Sequence, residues 1–466
     1  MEWAHQSQEG IKMTQLRRNL GLIEAVGLSL SIVAPTMAMA FNVTLAAGAA
    51  GTAAPLAFAV GTLAMAVVGL SFVAFARRVS HVGSAYAYIT KAFGPRAGFV
   101  TGWALMLTYL AYGTGTAALV GNFFGAALEN YHVLIPHLWL TAGVATVMLA
   151  MWLAYRDMQL AARLMLGLEI VSVCAILVLG VLVLHGVSAS GGLSMAPFKP
   201  DAHFGWSGIG HAMVFAVLSF AGFEGAATLG EETGNPNRAI PLAVLGTVVL
   251  AGLFYVFASY VQVVGYGLGD MQALANASAP LNTLALKFAS RDFATILDLA
   301  AGISAFACAL GSLSAASRML FALGRIGLAP AVCKAHPRYG TPGAAVLTMG
   351  ALMIAGLVLW APAVGAGDYY GDVGTIGTLA LILVYMGVAS AEAVEAVRTS
   401  RFMWALFGAL GAAILLWPLY GSVYPVPVFP GNLWPYVVVA YLVLGVALIL
   451  VRPAIGRAAL AELQPR

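Results

Sequence analysis

The stretch Ser219–Ala243, SFAGFEGAATLGEETGNPNRAIPLA, decides how the rest of the chain is read. Its first half is apolar and small, as in a membrane helix, yet Gly222 and Gly225 stand on either side of a carboxylate, Glu224. An acid at the centre of a membrane helix costs roughly 2.5–3.5 kcal/mol on insertion scales, and such a residue ordinarily faces a bundle interior or a watery cavity. From Glu231 to Pro241 the sequence turns polar and carries the turn signal Asn235-Pro236. The expectation is a helix that crosses part of the membrane, weakens at Ala221-Gly222 and leaves on a charged loop.

Composition agrees with a membrane setting. Of 466 residues, 61% are hydrophobic and only 9% charged, far less charge than a soluble chain of this length carries. Twelve apolar segments are long enough to cross a bilayer as helices. They lie near 21–47, 54–76, 95–128, 137–155, 161–186, 206–230, 239–267, 291–323, 343–361, 373–397, 402–423 and 434–452. With the N-terminus inside, the outer loops hold Lys199, Lys287 and Arg291 alone among 22 Lys and Arg. That asymmetry satisfies the positive-inside rule and puts both termini in the cytoplasm. The polar start, up to about Asn19, leads us to expect no cleaved signal peptide. The three cysteines, Cys174, Cys308 and Cys333, have neither paired nor metal-ligand spacing, and read as small core residues or a loop thiol.

Span 1, GLIEAVGLSLSIVAPTMAMAFNVTLAAGAAG, carries Pro35 near its middle. Proline lacks an N–H and blocks the helical bond to the residue four earlier. Taken alone, Pro35 is either a kink or a true break. The second interruption, in span 6, favours a break, because paired broken helices in corresponding positions of two halves mark a transporter site. Five spans separate them, and an odd repeat inverts the second half. The expected architecture is all-α and integral to the membrane: twelve transmembrane helices, with spans 1–5 and 6–10 as a 5+5 inverted repeat and broken helices 1 and 6. Residues 1–20 form a cytoplasmic tail, 21–400 the transporter core (repeats at about 21–186 and 206–397), 401–452 two accessory helices and 453–466 a second tail.

Other positions add chemistry. Thr108, Tyr112 and Thr116 fall at intervals of four in span 3 and share one helix face. Gly113 and Gly115 would leave room there for a polar cavity, although such hydroxyls also serve as interhelix bonds. Ser304, Ser312 and Ser314 in span 8 are equally ion ligands or interhelix glue. Asp298, near the outer end of span 8, reads as solvated, and Glu392 and Glu395 as an ion cluster closing span 10. The basic stretch after span 2 would form an amphipathic cytoplasmic helix, with Tyr86, Tyr88, Ile89 and Phe93 packed under the bundle.

The motifs FAGFEG and EETGNPNRAIPLA around span 6, HVGSAYAYITKAFGPRAGFVTGW after span 2 and SAASRMLFALGRIGLAP after span 8 resemble the amino acid–polyamine–organocation permeases over about residues 15–400. The resemblance implies a leucine-transporter-like fold with substrate held between spans 1, 3, 6 and 8. The breaks then place Ala34, Pro35, Thr36 and Met37 on one side and Phe220, Ala221, Gly222 and Phe223 on the other. Three departures stand out. No glycine lies between Gly27 and Gly48, so fewer N–H donors face a substrate carboxylate, as in putrescine- and amine-importing branches. Glu169 stands in span 5 where some proton-coupled relatives have lysine. The aromatic often found before the span-6 break is replaced by Leu218, with Phe215 and Phe220 flanking it.

These parts describe a permease, not an enzyme: the eight histidines are scattered and His211 has no sequence partner. A channel or sensor would not need two breaks in inverted positions. No Lys or Arg falls in mid-span, which argues against acidic substrates. The substrate is therefore a small neutral or cationic amino acid or amine, bound by Ala34, Pro35, Thr36, Met37, Thr108, Tyr112, Thr116, Phe220, Ala221, Gly222, Phe223 and Glu224. Glu224 has a competing role as an interhelix tie. Glu169 is the candidate proton carrier, with Ser304 and Ser312 as coupling partners; the competing role for Glu169 is a permanent bond to span 1 or 8. Proton-coupled import is the first mechanism and obligate exchange the alternative. The expected partners are the small-molecule substrate, a proton or other cation and the lipid bilayer of the inner membrane, with no cofactor, metal or nucleic acid.

Overall fold

A computed structural model describes residues 29–30, 33–77, 85–156, 159–224, 236–333, 336 and 339–452. Among them every regular element is helical. The chain runs through α1 (Pro35–Ala50), α2 (Ala54–Ala76), α3 (Ala85–Phe93), α4 (Pro95–Glu129), α5 (Leu138–Arg156), α6 (Gln159–Ala189), α7 (Gly205–Phe220) and α8 (Pro236–Tyr266). It continues through α9 (Met271–Ala275), α10 (Pro280–Phe288), α11 (Arg291–Arg325), α12 (Gly343–Leu359), α13 (Ala361–Val364), α14 (Ala366–Arg398), α15 (Phe402–Ile414), α16 (Leu416–Gly421) and α17 (Trp434–Val451).

Ten stretches of described helix are long and apolar enough to cross a membrane, and α7 is a shorter apolar helix. The protein is thus an integral membrane protein. One of the ten, Pro35–Ala76, has 42 residues. As one straight helix it would be about 63 Å long, twice the ~30 Å hydrocarbon core. It turns instead at Gly51, whose φ of +57° and following 3₁₀ turn separate α1 from α2. The sequence places span 6 over 206–230, but α7 stops at Phe220, and residues 225–235 lie outside those described. The expected span 402–423 is divided at Leu415 into α15 and α16. Pro418 explains the division, since it has no N–H for the Ile414 carbonyl.

Helix ends follow local chemistry. Pro35, Pro55 and Pro95 sit in first turns, where a missing N–H costs nothing. The Ser290 hydroxyl caps α11 by accepting from the Phe293 N–H at 3.2 Å, and Arg325 closes the same helix at its negative end.

Helix α4 is the centre of the bundle: 89% of its most apolar window is buried, against 22% for each of the two C-terminal stretches. It packs against α5, α11 and α14, and glycines set the distance. A Cβ on Gly113 would come within 2.6 Å of Met353 Cε, and one on Gly115 within 2.7 Å of Val373 Cγ2. Across the seam, a Cβ on Gly377 would meet Tyr112 at 2.9 Å. The room expected beside Gly113 and Gly115 is therefore filled by neighbouring helices, because close approach gains more contact than an open space would.

Three peripheral expectations fare differently. Tyr86, Tyr88 and Ile89 of α3 are buried, with Tyr88 stacked on Phe75 at 4.9 Å, but Phe93 is exposed at the end of that helix. Asp298 is not solvated; it is buried and accepts from Asn282 and Asn130. Glu392 is buried and pairs with Arg401 at 3.2 Å, tying α14 to the start of α15.

Candidate functional site

Span 1 is interrupted where Pro35 predicts. Ser29, Leu30 and Val33 are helical, then Ala34 takes the left-handed conformation (φ +45°, ψ +63°), and α1 begins at Pro35. A helix that begins afresh exposes N–H groups at its first turn. Here protein side chains take them. The Thr36 N–H donates to Glu169 Oε1 at 2.7 Å, and the Met37 N–H donates to Ser304 Oγ at 3.1 Å. Glu169 belongs to α6 and Ser304 to α11. A carboxylate at a helix N-terminus is favoured by the peptide dipoles. Glu169 and Ser304 thus fasten α6 and α11 to the start of α1.

Span 6 is interrupted at Ala221, where ψ rises to 127°, and at Gly222, where φ is +101°. The positive φ is what requires glycine here. The freed Gly222 N–H turns to Glu224 Oε2 at 3.2 Å. The same oxygen accepts from the Tyr385 hydroxyl of α14 at 2.6 Å, and Oε1 accepts from Tyr109 of α4 at 2.9 Å. Phe72 and Phe223 pack edge-on around this cluster. The helical stretch before the first break meets the second break, because Ser29 Oγ donates to the Phe223 carbonyl at 3.1 Å.

Between the breaks lies a narrow cavity. Val33, Met37 and Ala38 line it from span 1, Leu218 and Ala221 from span 6, and Tyr112 and Thr116 from α4. Asn42, Cys308 and Tyr370 complete the wall. Asn42 is the junction at one side: its amide nitrogen donates to Ser219 Oγ at 2.7 Å and its oxygen accepts from the Tyr370 hydroxyl at 2.7 Å. The Tyr255 hydroxyl then donates to the Ser219 carbonyl at 2.7 Å. One hydrogen-bonded chain so joins α14, α1, α7 and α8.

Of the residues singled out in the sequence, Met37, Tyr112, Thr116 and Ala221 meet at the cavity wall. Thr36 is occupied with Glu169, and Glu224 with the two tyrosines and Gly222. Thr108 donates to the Gly377 carbonyl at 3.1 Å, so it joins α4 to α14. Ala34, Phe220 and Phe223 are fully buried or nearly so in the packing around the breaks, together with Pro35 and Gly222. Ser312 approaches Cys308 Sγ at 3.9 Å, one helical turn along α11. Asn42 escaped the sequence reading although a lone amide in an apolar run is a readable signal. Tyr109, Tyr370 and Tyr385 gave none, because only the tertiary arrangement brings them to the breaks.

At one end of the bundle, Asp201 ties the corner after α1 to the approach of α7. One oxygen accepts from the Thr52 hydroxyl at 2.8 Å and N–H at 3.2 Å, the other from the His203 N–H at 2.8 Å and Phe204 N–H at 3.4 Å. Partial burial would raise the Asp201 carboxyl, but these four donors outweigh it and hold it below the usual aspartate range.

Comparison with known proteins agrees with this arrangement. The family model described as amino acid permease matches residues 26–456. The chain is 25% identical over 360 residues to the low-affinity putrescine importer PlaP of Escherichia coli K12, covering 75% of this chain and 77% of that protein. It is 26% identical over 345 residues to the methylthioribose transporter of Bacillus subtilis, covering 71% and 72%. It is also 26% identical over 348 residues to the branched-chain amino acid permease BcaP of the same organism, covering 72% and 74%. With two interrupted helices around a common cavity and a family match across most of its length, the chain belongs to the amino acid permease family of the amino acid–polyamine–organocation superfamily.

Proposed function

We propose that the protein is a secondary carrier that imports a small neutral or cationic amino acid or amine across the cytoplasmic membrane by alternating access, with a proton as the coupling ion. The observation that carries this reading is the buried Glu169 carboxylate bonded to the first N–H of α1, that of Thr36, whose neighbour Met37 lines the cavity. A carboxylate at that point responds to whichever side water enters from, and its bond to Thr36 couples its charge to the position of α1. The named substrates of the relatives, putrescine, methylthioribose and branched-chain amino acids, carry no net negative charge. No Lys or Arg lines the cavity among the described residues, in keeping with a substrate of that kind.

The same proposal includes twelve spans in a 5+5 inverted repeat, two accessory helices, and both termini on the cytoplasmic face of the inner membrane. The basic-residue asymmetry supports this orientation.

The test is labelled uptake into proteoliposomes under an imposed pH gradient. Acid outside should drive concentrative uptake, and Glu169→Gln, which keeps an oxygen for Thr36, should retain binding but lose the response to the gradient. Intact gradient-driven accumulation by that variant would remove Glu169 from the coupling scheme. Uptake seen only in vesicles preloaded with substrate would replace import by obligate exchange. A single-channel current without saturable uptake would overturn the carrier itself.

A further inference from the structure

Residues 402–451, which hold α15, α16, the turn after them and α17, contain no Asp, Glu, Lys, Arg or His. Charge returns at Arg401 and Arg452, on either side of the stretch. The two spans of this hairpin therefore carry charge at one end, while the opposite end, with the turn 422–433, carries none. Helix α17 has 18 residues, so it is about 27 Å long against a hydrocarbon core of ~30 Å. With Arg452 at one face of the membrane, Trp434 comes to the headgroup level of the other, and the turn lies there.

The turn is inside out for a segment in water. Val426 is 72% exposed, Val428 88% and Phe429 74%, with Tyr424 beside them at 59%. Its polar side chains are the covered ones. Ser422 is buried and donates to the Pro418 carbonyl at 2.8 Å, and the Asn432 side-chain oxygen is buried. Of the six residues 425–430, three are prolines, Pro425, Pro427 and Pro430, and bring no N–H. Half the backbone donors that would be costly to take from water are thus absent.

Both ends of the turn are fixed. Gly421 packs on the backbone of α7 so closely that a Cβ there would lie 2.7 Å from the His211 nitrogen. At the other end the Trp434 indole donates to Asp372 Oδ1 of α14 at 3.0 Å. Held at both ends, the tip projects with its apolar side chains uncovered. Around it stand exposed aromatic residues with polar tips: Tyr420, 5.7 Å from Tyr424, and Tyr436. Tyrosine and tryptophan concentrate at the headgroup level of membranes.

We infer that this turn is a membrane anchor: Val426, Val428 and Phe429 insert between lipid headgroups, with Tyr420, Tyr424 and Tyr436 around them at that level. Lipid is the occupant because the patch continues from the two least buried spans, whose exposed leucines and valines already face the bilayer. In the orientation proposed above, the anchor enters the outer leaflet.

The test uses full-length protein in nanodiscs of phosphatidylcholine and phosphatidylglycerol. A spin label is attached at Val428→Cys in a background carrying Cys174→Ala, Cys308→Ala and Cys333→Ala. Its collisions with oxygen, which partitions into lipid, and with a water-soluble nickel chelate are compared with those at two reference sites. Val443→Cys reports an exposed position midway along α17, and Lys199→Cys an exposed cation. The label at Val428 should collide less with nickel and more with oxygen than the label at Lys199, a shift toward Val443. Nickel collisions equal to those at Lys199 would overturn the anchor. Line broadening that disappears on dilution with unlabelled protein would overturn it in favour of a second copy seated on the patch. A second variant, Val428→Trp, keeps all three cysteines and is read as the difference from wild-type emission. The added indole should be quenched by phospholipid brominated in the acyl chain and be shielded from acrylamide. Quenching by acrylamide without quenching by the brominated lipid would overturn the anchor independently of the cysteine replacements.

Discussion

Replacing Glu224 separates a tie between helices from a ligand for substrate. In the structure its two oxygens accept three hydrogen bonds, from Tyr385, Tyr109 and the Gly222 N–H, and the residue is 1% exposed. Glu224→Ala strands two buried hydroxyls and one backbone N–H. At about 1–3 kcal/mol for each unsatisfied group, a loss of several kcal/mol is expected, even after partial relaxation. Glu224→Gln keeps one oxygen, which can serve Tyr385 and Gly222, and turns an amide toward Tyr109, whose hydroxyl can reverse and accept. The loss is then mainly that of charge assistance, about 1 kcal/mol for each bond that becomes neutral. Tyr109→Phe and Tyr385→Phe each remove one donor and share one acceptor, so their effects should be non-additive by about 0.5 kcal/mol or more. Thermal unfolding of the purified variants gives the order wild type, single Phe variants and Gln, then Ala. Ligand titration of Glu224→Gln should leave affinity within about threefold of wild type, less than the tenfold that ~1.4 kcal/mol makes. An alanine variant as stable as wild type, or additive tyrosine effects, would refute the tie; a collapse of affinity in a well-folded Gln variant would move Glu224 into the substrate site.

Two further outcomes test the scaffold around the cavity. Ala34 sits at φ +45° and is fully buried, so Ala34→Gly should fold at least nearly as well as wild type, whereas Ala34→Val should lose ~2 kcal/mol or more, since a left-handed β-branched residue is strained and the site has no spare volume; equal melting temperatures for Val and Gly would show that Ala34 does not hold this conformation. Asp201 is held below its usual range when folded, so its contribution is complete above the ordinary aspartate value of about 3.9 and fades as pH falls below that value through the lower folded one; the melting-temperature gap between wild type and Asp201→Asn should therefore shrink on acidification, and a gap constant from neutral to strongly acid pH would refute the assignment.

The helical content, the stations of most spans and both interruptions are legible in the residues. Pro35 cannot extend the hydrogen-bond ladder, and Gly222 takes a φ that other residues avoid, so each local chemistry predicts its own break. The use made of the breaks is not legible. Nothing in the sequence says that Glu169 takes the Thr36 N–H, 133 positions away, or that Tyr109 and Tyr385 converge on Glu224. The hydroxyl face of α4 reads as one unit, yet Thr108 and Tyr112 both bond α14, at Gly377 and Thr378, whereas Thr116 bonds back to its own helix, and only Tyr112 and Thr116 of the three border the cavity. Asp298 looked solvated because a position near a helix end says nothing of the Asn282 and Asn130 amides folded over it.

The glycine seam between α4 and α14 has a mechanical meaning. Gly115 on one side and Gly377 on the other each lie so close to the opposing helix that one methyl group would not fit. Two rods meshed this tightly have no slack for sliding past one another, so in the alternating access proposed above they would be the surface against which other helices tilt. The seam would then act as an abutment, and a bulkier side chain at either glycine would wedge it apart.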